Sequence, residues 1–392
     1  MRSLPRLRVC MVVTYDLASR GGGVKAHAVN LSAALRKIGD EVVILGPSSS
    51  RRLNEPWTFG LRGVINVPSN GSDNYLGILV CPYQVRRFFR QHHFDVIHVH
   101  EPLNPALSYW TTWLTTHIPH IATFHAFAEE EPPAKLAARR IFSTTLQPWF
   151  QRSIAVSEPA ARYASAAWKG PLALIPNGVP TAQFRPAPPT ESKGPVRLLF
   201  VGRLGDTRKG VRYAIQAYAR LQARGVPATL DIVGELGAAE PPPRLPGLTY
   251  HGDVALDRLI EHYRACDALV APSTGQESFG IILLEAMASA KPVICSDIEG
   301  YRQVATTSGS RLVTPSSVDA LEKALVDFVK LDLATRRRMG EANRMHARRY
   351  DWEVIAQRVR REYLAAMGFA VDPFEVIEPE EVLAPVSATG TR

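Results

Sequence analysis

A short apolar run, Arg8-Val9-Cys10-Met11-Val12-Val13, precedes a glycine turn, Gly21-Gly22-Gly23, and a helical pattern then runs from Val24 to Ile38. A second apolar run, Glu41-Val42-Val43-Ile44-Leu45, comes directly after it. Strand, glycine loop, helix and strand with such short connections form a βαβ unit, and that unit implies a parallel sheet. Further strand-like runs fall at Val64–Val67, Val96–Val99, Ile121–Phe124, Ser153–Val156 and Leu172–Ile175. After a stretch rich in proline and polar residues, Thr181 to Lys193, the pattern restarts. Val196–Val201 leads into Gly202-Arg203, and Thr229–Gly234, Ala268–Ala271 and Pro292–Ser296 follow.

A chain of 392 residues is too long for one core. The expected fold class is therefore α/β, with two Rossmann-like doubly wound domains facing each other across a cleft. The first covers residues 1–181, a linker 182–193, and the second 194–350. Tyr350-Asp351-Trp352 opens a further helix over 351–368. Residues 369–392 are Pro- and Glu-rich without periodicity and read as a disordered tail. Ligands of such sheets bind at the carboxyl ends of the strands, so the cleft is where chemistry is expected.

The four cysteines, Cys10, Cys81, Cys266 and Cys295, are far apart and lack metal-ligand spacing. They read as reduced, buried thiols of a cytosolic protein, and no metal is expected. The formal charge of +9 is uneven, since residues 1–190 hold 20 Lys/Arg against 11 Asp/Glu and residues 191–392 hold 26 of each. A basic first domain suits an anionic membrane or an anionic substrate. Zinc-finger spacing and a basic helical arm are both missing, so nucleic acid is not expected. Residues 102–128 carry no charged side chain, but Pro105, Pro119 and three histidines interrupt them, which excludes a membrane span. With no secretory signal read at the N terminus, the expected place is the cytoplasm, peripheral at the inner face of the cell membrane. Tyr83 to His93 holds Arg86, Arg87, Phe88, Phe89 and Arg90, a stretch that fits a membrane interface or a surface helix with Phe88 packed inward.

Gly275 to Ala288 is the densest chemical signal. A strand ending at Ser273 passes through a small-residue loop into an apolar helix, with Glu277 and Glu285 eight positions apart. Free N–H groups at Ser278, Phe279 and Gly280 suit a phosphate, and a carboxylate two turns along the helix can accept both hydroxyls of a ribose. Arg203 and Lys209 follow the strand at Val196 and can converge on a diphosphate in place of a metal. Gly22 and Gly23 let backbone approach a phosphate closely. His125 ends a strand and faces the cleft, with His100-Glu101-Pro102 beside it. Asn177-Gly178-Val179 closes the first domain, and Asn177 shapes its turn or touches ligand.

These motifs resemble family-4 retaining glycosyltransferases of the GT-B fold over about residues 7–368, and most of all the phosphatidylinositol α-mannosyltransferases. The matching segments are Gly22-Gly23-Val24, Asn70-Gly71-Ser72, His98 to Pro102, Ala122 to His125, Ile175 to Val179, Arg208-Lys209-Gly210, Gly275 to Ala288 and Tyr350 to Trp352. The resemblance implies transfer of a hexose, mannose from GDP-mannose, to a lipid-linked acceptor such as phosphatidylinositol, with no cofactor beyond the nucleotide-sugar. It implies His125, Arg203, Lys209 and Glu277 as catalytic residues. Gly22, Gly23, Arg203, Lys209, Asp253, Val254, Glu277, Ser278, Phe279, Gly280, Ile281 and Glu285 would bind the donor. Lys25, Asn70, Ser72 and His125 would bind the acceptor. Two departures bear on that acceptor. Lys25 stands where the subfamily has a glutamine, and Asp73-Asn74-Tyr75 replaces its basic residue. UDP-sugar-dependent synthesis of a glycolipid or soluble glycoside is the nearest alternative. A nucleotide-sugar epimerase or an inactive binding protein of the same fold is the other, although no charge of the donor set is missing.

Overall fold

The computed structural model describes residues 5–19, 22–50, 52–53, 55–67, 75–188, 194–237 and 239–370. Gly21, Asn70, Gly71, Ser72, Asp73 and Asn74, the end of the expected linker at 189–193 and the tail from 371 lie outside the described residues.

The first domain runs β1 (Arg8–Val13), α1 (Gly23–Lys37), β2 (Glu41–Pro47) and β3 (Thr58–Leu61). A small hairpin, β4 (Ile65–Asn66) with β5 (Tyr75–Leu76), is followed by α2 (Pro82–Gln91), β6 (Val96–His100), α3 (Leu107–Leu114) and β7 (His120–Phe124). It closes with α4 (Pro133–Leu146), β8 (Phe150–Ala155), α5 (Glu158–Ser165) and β9 (Ala173–Leu174). Its seven-stranded sheet has the order β3-β2-β1-β6-β7-β8-β9 and is parallel throughout. The run at Val64–Val67, expected in this sheet, instead pairs antiparallel with β5 away from it. Thr58–Leu61 takes the edge position, because only one of its four residues is buried and an edge strand needs no second apolar face.

The second domain contains β10 (Val196–Val201), α6 (Val211–Ala223), β11 (Ala228–Val233), β12 (Leu248–Tyr250), α7 (Leu256–Ala265), β13 (Ala268–Ala271) and α8 (Ile281–Ala288). β14 (Val293–Ser296), α9 (Glu299–Arg302), β15 (Ser310–Val313), α10 (Val318–Val329) and α11 (Leu333–Ala347) complete it. Its parallel order is β12-β11-β10-β13-β14-β15. In both sheets the strand order reverses beside the first strand, between β1 and β6 and between β10 and β13. Those two switch points open the crevices in which α/β sheets hold ligands.

The last helix, α12 (Trp352–Ala366), leaves the second domain and packs into the core of the first. Trp352, Ile355, Val359, Tyr363 and Leu364 join the core built on β1 and α1. Arg360 pairs with the buried carboxylate of Asp40 at 2.8 Å, and Tyr363 bonds the His98 ring at 2.7 Å. Where the chain enters α12, Val179 bridges to Asp351, and the Trp352 ring lies against Gly178.

Cys10, Cys266 and Cys295 are buried free thiols, but Cys81 is exposed, contrary to expectation. It caps the start of α2, a surface helix whose inward face is taken by Val85 and Phe88.

A Cβ at Gly178 would lie 2.5 Å from the Trp352 ring, whereas one at Gly194 would meet nothing within 4 Å. Gly178→Ala should therefore cost about 1–3 kcal/mol through overpacking, while Gly194→Ala should be close to neutral. Urea unfolding at constant slope measures both, and equal midpoints for the two variants would show that α12 does not seat on this contact.

Candidate active site

The loop from Pro272 to Gly280 is shaped by its backbone. Gly275 and Gly280 have φ of 155° and 100°, and Gln276 holds a left-handed φ of 55°. A non-glycine residue stays there only when its surroundings enforce it. Arg208 does so: its guanidinium donates to the Gln276 carbonyl at 3.0 Å and to both oxygens of buried Asp206, at 3.0 and 2.6 Å. The Thr274 N–H returns a bond to the Arg208 carbonyl at 2.8 Å. Gly300 is required beneath this loop, since a Cβ there would sit 2.0 Å from the Glu277 carbonyl.

This strap sets Lys209 against Glu277, with Nζ 2.6 Å from Oε1 and both side chains mostly buried. Arg203 stands nearby, half-exposed, with its guanidinium 3.9 Å from Asp206. Helix α8 begins at Ile281, because the left-handed Gly280 ends the turn. Its first free N–H groups therefore belong to Ile281 and Ile282, while the expected donors Ser278, Phe279 and Gly280 form the turn before it. Glu285 consequently lies just over one turn into the helix, not two.

Glu285 is half-buried among apolar side chains and accepts a bond from the Tyr263 hydroxyl at 2.8 Å. Desolvation pushes its carboxyl up to about 7, against the opposing effect of that bond.

Across the cleft, His125 follows the end of β7. The backbone N–H groups of His125 and Ala126 donate to Glu101 Oε1 at 2.5 and 2.7 Å. Glu101 is thus a buried structural carboxylate, with burial raising its pKa and those two bonds opposing the rise. His125 belongs to a packed set of imidazoles. His100 Nδ1 lies 3.0 Å from His125 Nε2, and His27 Nδ1 bonds Asn177 Oδ1 at 2.8 Å. The His27 ring also contacts His100, His125 and Trp352 edge-on. Burial drives His27 down to about 4 and His98 to about 3, and it holds His100 and His125 well below the usual range. The whole set is uncharged at neutral pH.

A cavity of about 300 Å³ brings the two walls together. Gly23, His125 and Asn177 line it from the first domain, and Lys209, Glu277, Ser278, Phe279, Gly280 and Ile281 from the second. Gly22, next to Gly23, has φ 107°, and a Cβ there would meet nothing within 4 Å. Arg203, Asp253, Val254 and Glu285 lie outside this cavity. Asp253 is exposed, and Val254 packs on the second domain's core. Lys25 also stands apart, with Nζ donating to the Ser19 carbonyl at 2.6 Å and its pKa lowered by burial. At one end of the cleft the domains touch through polar groups. Ser157 Oγ meets Ser278 Oγ at 2.9 Å, the Glu158 N–H donates to Gln303 at 3.1 Å, and Arg162 pairs with Glu299. No local pattern singles out Arg208, His27 or Ser157, whose partners Gln276, Asn177 and Ser278 are distant in sequence, or Asp206, which acts by anchoring Arg208.

Two facing Rossmann-like domains with a charged cleft between them form the GT-B architecture. Sucrose-phosphate synthase from Thermosynechococcus elongatus superposes with a TM-score of 0.70 at 21% identity, covering 93% of this chain and all of the other. Anabaena HepE in complex with UDP-glucose gives 0.71 at 15% identity, over 92% of this chain and all of the other. Residues 21–183 match the model of Glycosyltransferase Family 4, and residues 195–330 that of Glycosyl transferases group 1. Phosphatidyl-myo-inositol mannosyltransferase of Mycolicibacterium smegmatis is 31% identical, over 93% of this chain and 95% of its own length. Its Mycobacterium leprae namesake is 32% identical, over 91% and 96%. The chain belongs to glycosyltransferase family 4.

Between pH 4.5 and 7 Glu285 is protonated in the folded chain and ionised in the unfolded one, so stability falls as pH rises through that window. Above pH 7 the buried charge costs on the order of 3 kcal/mol. Glu285→Gln should therefore be more stable than the parent at pH 8, by an amount that shrinks towards pH 4.5. Parallel stability–pH curves for the two proteins would show that Glu285 is not desolvated.

Proposed function

We propose that this glycosyltransferase moves mannose from GDP-mannose to phosphatidylinositol with retention of configuration, while docked on the inner face of the cell membrane. The observation that carries the reading is identity of 31% and 32%, over 93% and 91% of the chain, with relatives named phosphatidyl-myo-inositol mannosyltransferase. The absence of a membrane-spanning helix among the described residues is compatible with peripheral docking.

In this reading the donor diphosphate lies against Lys209, Arg203 and the first N–H groups of α8, with Gly22 and Gly23 facing it. Glu285 accepts the ribose hydroxyls, and the loop at Asp253 and Val254 meets the base. Lys209 is held by Glu277 before the donor arrives, so the donor shares an ammonium that is already in position and pays little to order it. The bond between the sugar's anomeric carbon and the phosphate oxygen breaks, and its electron pair leaves with the diphosphate. Lys209 and Arg203 stabilise that charge. The acceptor hydroxyl attacks the same face of the sugar, and its proton passes to the departing phosphate oxygen. Glu277 holds sugar hydroxyls. His125, neutral by burial, orients the sugar as positive charge develops on it. No side chain forms a covalent intermediate. Lys25, next to the glycine loop, is the group for the acceptor's phosphate.

The membrane face is α2 with α3. Tyr83, Arg86, Arg87 and Arg90 are exposed on α2, and Trp113 on α3, beside a cavity of about 730 Å³ lined by Arg86, Phe89, Arg90 and Trp113. Phe88 is buried, so the helix both packs inward and presents arginines outward. Each basic residue near an anionic surface contributes about 1 kcal/mol.

Labelled GDP-mannose incubated with phosphatidylinositol vesicles should yield label extractable into organic solvent, and none without phosphatidylinositol. Label delivered only from UDP-sugars would overturn the donor, and label without phosphatidylinositol the acceptor. Lys209→Ala and Glu277→Ala should each lower turnover by about 100-fold or more, with the fold intact by circular dichroism. Near-normal turnover in either would sink the site assignment. Replacing Arg86, Arg87 and Arg90 with alanine should weaken sedimentation with anionic vesicles by about 100-fold, and unchanged sedimentation would place the docking face elsewhere.

A further inference from the structure

We propose that His27, His100 and His125 form a binding site for a divalent transition-metal ion such as Zn²⁺ at the floor of the cleft. One nitrogen of each ring lies within 4.8 Å of the others, and the first two side chains are buried. The three residues come from α1, the end of β6 and the end of β7, so the topology brings them together although the sequence scatters them.

Two of the nitrogens point to a missing partner. Asn177 Oδ1 is an acceptor, so His27 Nδ1 carries the proton and donates to it, and Nε2 keeps a free lone pair. His27 Nε2 and His100 Nε2 are both buried without a hydrogen-bond partner among the described residues. Leaving such groups buried and unpaired is unfavourable. A metal ion held by the three rings satisfies His27 Nε2, with His100 turning to it the Nδ1 that faces His125. The His27–Asn177 bond is also what metal-binding histidines require, a fixed second nitrogen that aims the first.

Three imidazoles suit zinc, copper or nickel, and a three-histidine set leaves a fourth position for water or substrate. Four-coordinate zinc with nitrogens at about 2.1 Å needs them about 3.4 Å apart, so from a separation of up to 4.8 Å the rings must draw together by up to about 1.4 Å. The His100–His125 hydrogen bond yields to the ion in that step. Entry is open, because His125 and Asn177 line the cavity. The site shares His125 with the sugar-orienting role proposed above, and its test does not involve transfer.

The full chain, prepared without a polyhistidine tag and stripped with EDTA, is titrated with Co²⁺ while visible absorption is followed. Zn²⁺ is then added in competition with a chromophoric chelator. The expected result is one equivalent per chain with the spectrum of four-coordinate cobalt. His27→Gln should weaken binding at least ~100-fold and Asn177→Ala ~10–100-fold, with His251→Gln unchanged. If His27→Gln fails to fold, His125→Gln, at a half-exposed position, should show the same loss. No stoichiometric binding by the parent overturns the proposal. So does parent-like binding in folded His27→Gln or His125→Gln, and so does a loss that follows His251.

Discussion

The return of α12 to the first domain is the constraint on which the rest of the molecule depends. Asp40 and Arg360 form a buried ion pair, and Asp40 also takes the Leu7 N–H at 3.0 Å. Removing one member of such a pair costs about 3–5 kcal/mol. With Trp352 lying on Gly178 and Val179 bridged to Asp351, both passages of the chain between the domains are bound to each other. At Ser157–Ser278 and Arg162–Glu299 the domains meet only through polar contacts, and the Arg162–Glu299 pair is largely solvent-exposed. Exposed pairs contribute little. The cleft is therefore strongly tied along one edge and lightly tied here.

Within that frame the second domain carries local costs at the cleft. Gln276 is kept left-handed by Arg208, Glu277 leans on a glycine at position 300, and Glu285 is desolvated beside Tyr263. Each is unfavourable alone, and each fixes the place of a polar group. Such trade of stability for site geometry is common in enzymes. The first domain meets the same cleft differently, with neutral buried imidazoles in place of charges.

Much of this was legible in the chain itself. The β1-α1-β2 unit, the restart at Val196 and the helix at Trp352 carry strong local periodicity, so their type and order follow from pattern alone. Lys209 and Glu277 were recognisable by their places after strands. Other features depend on contacts that no local pattern encodes. Thr58–Leu61 is a short edge strand with little apolar signal. The start of α8 shifts because Gly280 adopts a left-handed turn, which moves the free N–H groups to Ile281 and Ile282. Asp206 and Arg208 look like surface charge until the Gln276 carbonyl is brought to them. His27 sits unremarkably in an amphipathic helix, and only the sheet places it beside His100 and His125.

The cysteines illustrate how burial turns one residue type into two reagents. Cys266 and Cys295 are pushed up to about 12 by burial, and Cys10 is raised in the same way. All three are shut away from solvent and from electrophiles. Cys81, at the start of the arginine-bearing helix, is exposed. A thiol-reactive fluorophore would therefore settle on that one position without any engineering of the chain. Its emission would report the local polarity around α2, and hence whether a lipid surface arrives there, in the unmodified enzyme.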